Sequence, residues 1–137
     1  MNSDTLSTTL APRALSLFRI ITGLLIVQHG MAKLVGFPVV ASFANLQPLS
    51  LLGAAGFIEL IGGALLIVGL WTRPAALVVA INMLVAVLLV HTGQLFLLGK
   101  SGGWALELQG MYFFAAIAVA LLGAGRFSLG GGNGRLN

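Results

Sequence analysis

Between Ala14 and Gly123 the sequence is a succession of apolar runs, each about as long as a lipid bilayer is thick. A hydrocarbon core about 30 Å across needs about 20 mainly apolar residues per helix. Four runs meet that length, at 14–34, 51–71, 74–91 and 105–123. The breaks between them carry helix-stopping residues: Gly36 and Pro38 after the first, Pro48 before the second, Gly93 after the third. Pro74 fits the first turn of the third run, where a missing N–H costs little. The pattern predicts an all-α chain, a four-helix transmembrane bundle forming a single membrane domain over 1–137. The longest connector, Val35 to Ser50, is itself mostly apolar and is expected as a short interfacial or re-entrant piece on the bundle. The Gly130–Gly132 run marks 124–137 as a flexible tail.

Charge supports this reading. Seven Lys or Arg and three Asp or Glu make 7% of 137 residues, against about a quarter in a soluble domain, too few to cover a water-facing surface. An ordinary soluble enzyme is thereby excluded. The net charge of +4 is scattered among apolar runs and forms no basic stripe, which removes nucleic acid as a partner. With no cysteine, structural disulfides, thiolate metal sites and dithiol relays are also gone. The first run is too long for a signal peptide, contains Arg19 and His29, and has no small-residue cleavage pattern after it. Arg13, Arg73, Arg126 and Arg135 fall on one side of the spans, and Lys33 and Lys100 on the other. Basic residues favour the cytoplasmic side, so both termini are expected inside a multi-pass protein of the cell (inner) membrane, with the lipid bilayer as its solvent.

Ionisable side chains inside a membrane are costly, so each one in a span needs a partner or a wet cavity. They are Arg19, His29, Lys33, Glu59, His91 and Glu107. His29 lies five residues before the end of its run, and Glu59 eight residues into the next. With both ends inside, these two and the end-of-helix pair His91 and Glu107 all fall in the outer half. At 100° per residue, Arg19, Thr22, Gly23, Ile26, His29, Gly30 and Lys33 form one stripe on the first helix. Gly56, Glu59, Gly62 and Gly63 share a face on the second, where small residues admit either a neighbouring helix or a flat ligand. The third helix groups Ala80, Leu84, Val87 and His91, with Asn82 on another face. The fourth groups Glu107, Gly110, Met111 and Phe114, with Gln109 and Tyr112 adjacent.

Each group also has a plain reading. Lys33 and Lys100 read as snorkelling charges, Arg73 as a topology signal, His91 and Glu107 as solvated helix ends, and Tyr112 and Trp104 as interfacial aromatics. The glycines serve packing alone equally well. Glu59 is the hardest to explain as surface, and Arg19, His29 and Lys33 are its candidate counter-ions. A carboxylate beside an imidazole accepts and releases protons, as quinol oxidation or proton-coupled transport requires. A quinone headgroup needs hydrogen-bond partners for two oxygens in an apolar slot, and His29, Glu59, Gln28 and Tyr112 are of the right type. Haem between His29 and His91 is disfavoured, because their helical faces do not force them to converge. No metal is expected, since the His and Glu spacing carries no ligand signature.

These residues are also the ones that carry a resemblance. Arg19 and Gly23, then His29-Gly30-x-x-Lys33-Leu34 and Gly36-Phe37, resemble the first segment of the DoxX family of small four-span membrane proteins. Gly56-x-x-Glu59-x-x-Gly62-Gly63 running on to Gly69-Leu70-x-Thr72-Arg73 is similar to its second segment, and Met83 to His91 to its third. Gly102-Gly103 with Glu107, and Gly123-x-Gly125-Arg126-Phe127-Ser128-Leu129, resemble its last. The family pattern has Asp after Ser-Leu where this chain has Gly130, a departure that leaves the membrane site untouched. The resemblance covers about Arg13 to Leu129. It implies association with quinone-linked oxidoreductases, including thiosulfate:quinone oxidoreductase, and with oxidative, thiol or quinone stress.

The expected function is therefore an integral membrane subunit of, or accessory to, a quinone-linked redox system, not a complete catalyst alone. Glu59 and His29 are the expected proton-handling residues. Arg19, Glu59, His29, His91, Glu107 and Tyr112 are the expected lining of a quinone pocket. Electrons would come from a partner redox subunit, and a homo-oligomer is the other expected association. Small-solute or proton permeation through the bundle, and a non-catalytic assembly or anchoring subunit, are the competing readings.

Overall fold

The computed structural model describes residues 3–132 and 134–137. Its main elements are four helices: α1 (Ala11–Leu34), α2 (Leu51–Val68), α3 (Thr72–Leu89) and α4 (Glu107–Leu122). A helical lead-in, Ser3–Thr5 and a π-type stretch Leu6–Leu10, runs into α1 and ends just before Pro12, which has no N–H to donate. Among the described residues there is no strand, only an isolated bridge between Leu98 and Trp104 in the α3–α4 connector. Ser7–Leu34, α2 and α3 are each long and apolar enough to cross a membrane. With 16 residues, α4 is apolar but rises only about 24 Å.

Helix boundaries follow local chemistry. Ser50 caps α2, its hydroxyl accepting from the Gly53 N–H at 3.1 Å. At the other end the run expected to reach residue 71 stops at Val68, because Gly69 takes the left-handed conformation (φ 70°) and closes the helix onto Leu65 O. A three-residue turn then starts α3 at Thr72.

Packing sets which faces meet. α1 lies against α2 through glycines spaced seven apart on both helices. A Cβ on Gly23 would stand 2.8 Å from Gly63 O, and one on Gly30 would stand 2.7 Å from Leu60 N and 2.8 Å from Gly56 O. Two backbones in contact leave no room for side chains, which is how small residues hold membrane helices together. Gly30→Val is expected to destabilise the protein by about 1–3 kcal/mol. Gly93→Ala, where a Cβ meets nothing within 4 Å, should leave the unfolding midpoint in detergent close to wild type.

On the remaining helices Ala75, Ala76, Val79, Ala80, Met83, Tyr112, Ala116 and Val119 join Ile26 and Leu66 in one core. This moves two expected faces. On α3 Asn82 and Met83 are buried while Leu84 is exposed, and on α4 the inward row is Tyr112, Ala116 and Val119 while Met111 and Phe114 face out. The large exposed side chains, among them Leu17, Leu24, Ile61, Ile81 and Leu121, give the bundle an apolar exterior.

The end of the bundle carrying the α2–α3 turn is closed by arginine. A helix ends with four carbonyls that lack intrahelical partners, and those of α2 are all accounted for. Leu65 O accepts from the Gly69 and Leu70 amides, and Val68 O from the Leu129 amide. Leu66 O and Ile67 O accept from Arg19 Nη1. The same guanidinium reaches Ala124 O through Nε at 2.8 Å and Phe127 O through Nη2. Arg73 does the corresponding work on α4, donating to Ala120 O at 2.9 Å and Leu121 O at 2.7 Å. The segment after α4, which its glycines mark as flexible, is tied across this end: Arg126 N donates to Pro12 O, Phe127 N to Ser16 Oγ and Gly130 N to Gly69 O.

Candidate functional site

The opposite half of the bundle holds a cavity of about 480 Å³, a size usual for small-molecule sites. All four helices and the α1–α2 connector line it. Most of the wall is apolar, with Ile26, Leu52, Ile58, Met83 and Val90 among its residues. The polar groups that reach it are few: His29 and Lys33 from α1, Ser42 from the α1–α2 connector, Glu59 from α2, Asn82 from α3, His91 just beyond it, and Gln109 and Tyr112 from α4.

Glu59 is at the centre. It is 2% exposed, and its Oε1 forms an ion pair with Lys33 Nζ at 2.5 Å. Asn82 turns its amide to the same oxygen at 3.5 Å. The helix geometry explains the pair: in the antiparallel α1–α2 contact Lys33 faces Gly56, which has no side chain to block it, and Glu59 stands one turn further along α2, within reach of the long lysine side chain. The connector completes the enclosure. Its single 3₁₀ turn, Ala41–Phe43, brings Ser42 and Phe43 to the cavity, with the Phe43 ring centroid 5.9 Å from Lys33 Nζ. An ammonium that looks free to snorkel in the sequence is thus held by a carboxylate and a ring. His29 stands edge-on to Tyr112, ring centroids 5.4 Å apart, which fixes both rings on the cavity wall.

Three buried polar atoms around this cavity have no hydrogen-bond partner among the described residues: Glu59 Oε2, His91 Nδ1 and Gln109 Oε1. Buried polar atoms are nearly always satisfied, and leaving one unpaired costs about 1–3 kcal/mol. A carboxylate oxygen, an imidazole nitrogen and an amide oxygen lining one apolar space form a set suited to a ligand with polar groups on a flat apolar body.

Of the residues expected at the site, the structure brings together Glu59, His29, His91 and Tyr112 on this cavity. Two lie elsewhere. Arg19 is fully buried at the arginine-closed end with its donors committed to backbone carbonyls, and Glu107 is exposed at the start of α4, off the inward row of that helix. Lys33, Asn82 and Gln109 belong to the cavity although the sequence marks them weakly. For Asn82 the available signal is that it is the single non-aliphatic polar residue well inside the third apolar run.

The DoxX family matches residues 14–92, which hold the Lys33–Glu59 pair, Asn82 and His91. An uncharacterized protein of Haemophilus influenzae is 34% identical over 124 residues, covering 86% of this chain and 89% of its own length. No solved structure matches.

Proposed function

The chain belongs to the DoxX family of membrane proteins, and from that footing we propose that its cavity binds a quinone headgroup and that the protein serves as a membrane subunit of a quinone-linked redox system. The observation that supports this most is the coincidence of an apolar cavity with three unpartnered polar atoms, Glu59 Oε2, His91 Nδ1 and Gln109 Oε1. These residues fit the group. Gln109 and His91 would hold ring oxygens, the unpaired Oε1 and Nδ1 accepting from the hydroxyls of the reduced ring, Tyr112 and His29 would flank the ring, and the apolar wall would exclude water.

A bound quinone supplies reversible electron transfer coupled to protons. The chain's own part is to hold and move those protons. Glu59 carries a free carboxylate oxygen on the cavity, and Lys33 fixes the other oxygen so that the free one faces the ligand. His29 and His91 offer imidazoles on the same space, and His91, just past the end of α3, connects it to the water-facing end of the bundle. With no cysteine, electrons come from a partner subunit. In this reading all four helices cross the inner membrane, α4 as the shortest, with both termini and the arginine-closed end on the cytoplasmic side and the cavity in the outer half.

The test is titration of purified protein in nanodiscs with a short-chain quinone. Glu59→Gln should weaken binding by about tenfold or more, about 1.4 kcal/mol. Gln109→Leu, which touches no ion pair, should weaken it in the same direction by about two- to tenfold, the range of one hydrogen bond. Unchanged affinity in both variants would overturn the site. The ion pair itself favours one competing reading, a non-catalytic assembly subunit in which Lys33 and Glu59 only neutralise each other.

A further inference from the structure

A second depression runs along the outside of the bundle between α2 and α3. It holds about 340 Å³ and is lined by Phe57, Ile61, Leu65, Trp71 and Pro74 among other residues, without a charged side chain. Ile58 and Val78 line both this groove and the cavity, so the two spaces adjoin there. From that junction the groove extends toward the α2–α3 turn. Asn82 lies in the cavity and Pro74 at the far end of the groove, eight residues or about 12 Å of helix apart. Trp71 marks the end. Its backbone is held at φ 47°, a conformation rarely taken by a bulky residue, and its indole lines the groove.

A mostly apolar cavity that carries a few polar groups and continues sideways into a wholly apolar furrow on the lipid-facing surface has the shape of an amphiphile, head inside and tail out. We propose that the groove holds the hydrocarbon tail of the ligand whose polar ring sits in the cavity, so that the ligand is a long-tailed amphiphile reaching its site laterally from the bilayer between α2 and α3. This rests on the headgroup reading above. The apolar tail gains little by leaving lipid for protein, so the groove acts through shape, guiding the ring to Glu59 and fixing the direction in which the tail departs.

Location of the tail is the decisive readout. The chain has two tryptophans, so Trp104→Phe leaves Trp71 as sole reporter. The probe is a quinone carrying a brominated alkyl tail, added to protein in nanodiscs of unbrominated lipid, alongside a tailless quinone. Saturable quenching of Trp71 near one ligand per protein is the expected result. Ile61→Phe, a bulky change at an exposed position that lines the groove and not the cavity, should remove that quenching and weaken the tailed ligand by about tenfold while leaving the tailless one within about twofold. Two results would overturn the tail site while sparing the headgroup site: quenching that rises linearly without saturation, as for any lipid chain, or equal binding of the tailed ligand by wild type and Ile61→Phe. Failure of the tailless quinone to bind wild-type protein would overturn the headgroup reading instead, and saturable Trp71 quenching by the tailed probe would then assign the groove to a different amphiphile, contradicting the proposal as stated.

Discussion

Replacing Arg19 with alanine is expected to remove most of the folded protein. Its guanidinium is fully buried and is shared among the carbonyls of Leu66, Ile67, Ala124 and Phe127. Without it four acceptors lose their donor, each at about 1–3 kcal/mol if water does not reach them. The segment after α4 would lose one of its ties to α1 and α2. The positive charge also sits at the C-terminal end of α2, where the helix dipole favours it. Arg19→Lys should be intermediate, since an ammonium keeps the charge but cannot reproduce a planar fork across several carbonyls. Yield of monodisperse protein and its unfolding midpoint in detergent are the measurements. An Arg19→Ala protein as stable as wild type would show that the clamp does not hold the bundle together.

The second large effect concerns Lys33 and Glu59. Lys33→Met leaves a 2%-exposed carboxylate with Asn82 as its remaining partner, and breaking a buried pair on one side costs about 3–5 kcal/mol. The double change Lys33→Met with Glu59→Met removes both charges and should recover most of that stability, since apolar replacements of buried pairs are often neutral. Stability and ligand binding should therefore separate: the double variant folds and does not bind quinone. A double variant that folds and binds as wild type would favour the assembly reading, in which the pair only neutralises itself.

The sequence carries the architecture and part of the site, for definite reasons. Apolar runs between Gly and Pro breaks locate all four helices to within a few residues, because bilayer thickness and helix rise leave little freedom. The α1 stripe of Arg19, Gly23, Ile26 and Gly30 is buried as its periodicity requires, and Leu24 and Leu25 face out. Glu59 stands out because a carboxylate deep in a span has few alternatives. What depends on how helices rotate against one another was not legible. Lys33 reads from the sequence both as a snorkelling charge and as one of three candidate counter-ions of Glu59, and the crossing of α1 and α2 at their glycines is what selects it over Arg19 and His29. A rotation of α3 separates a buried Asn82 from a lipid-facing Leu84, and a rotation of α4 separates Tyr112 in the cavity from Glu107 outside it. Arg19 illustrates the same point, since a buried arginine in a span looks like a ligand group yet caps the end of α2, and Arg73, read as a topology signal, caps the end of α4.

The cavity with its free carboxylate oxygen is the centre of the proposed function, and the most direct measurement is a high-resolution map of the protein extracted with its native lipids. A planar density bounded by Glu59, His91, Gln109 and Tyr112, with a chain leaving between Ile58 and Val78, is the expected result. A closed interior in which Glu59 Oε2, His91 Nδ1 and Gln109 Oε1 are bonded to one another or to neighbouring side chains would contradict it.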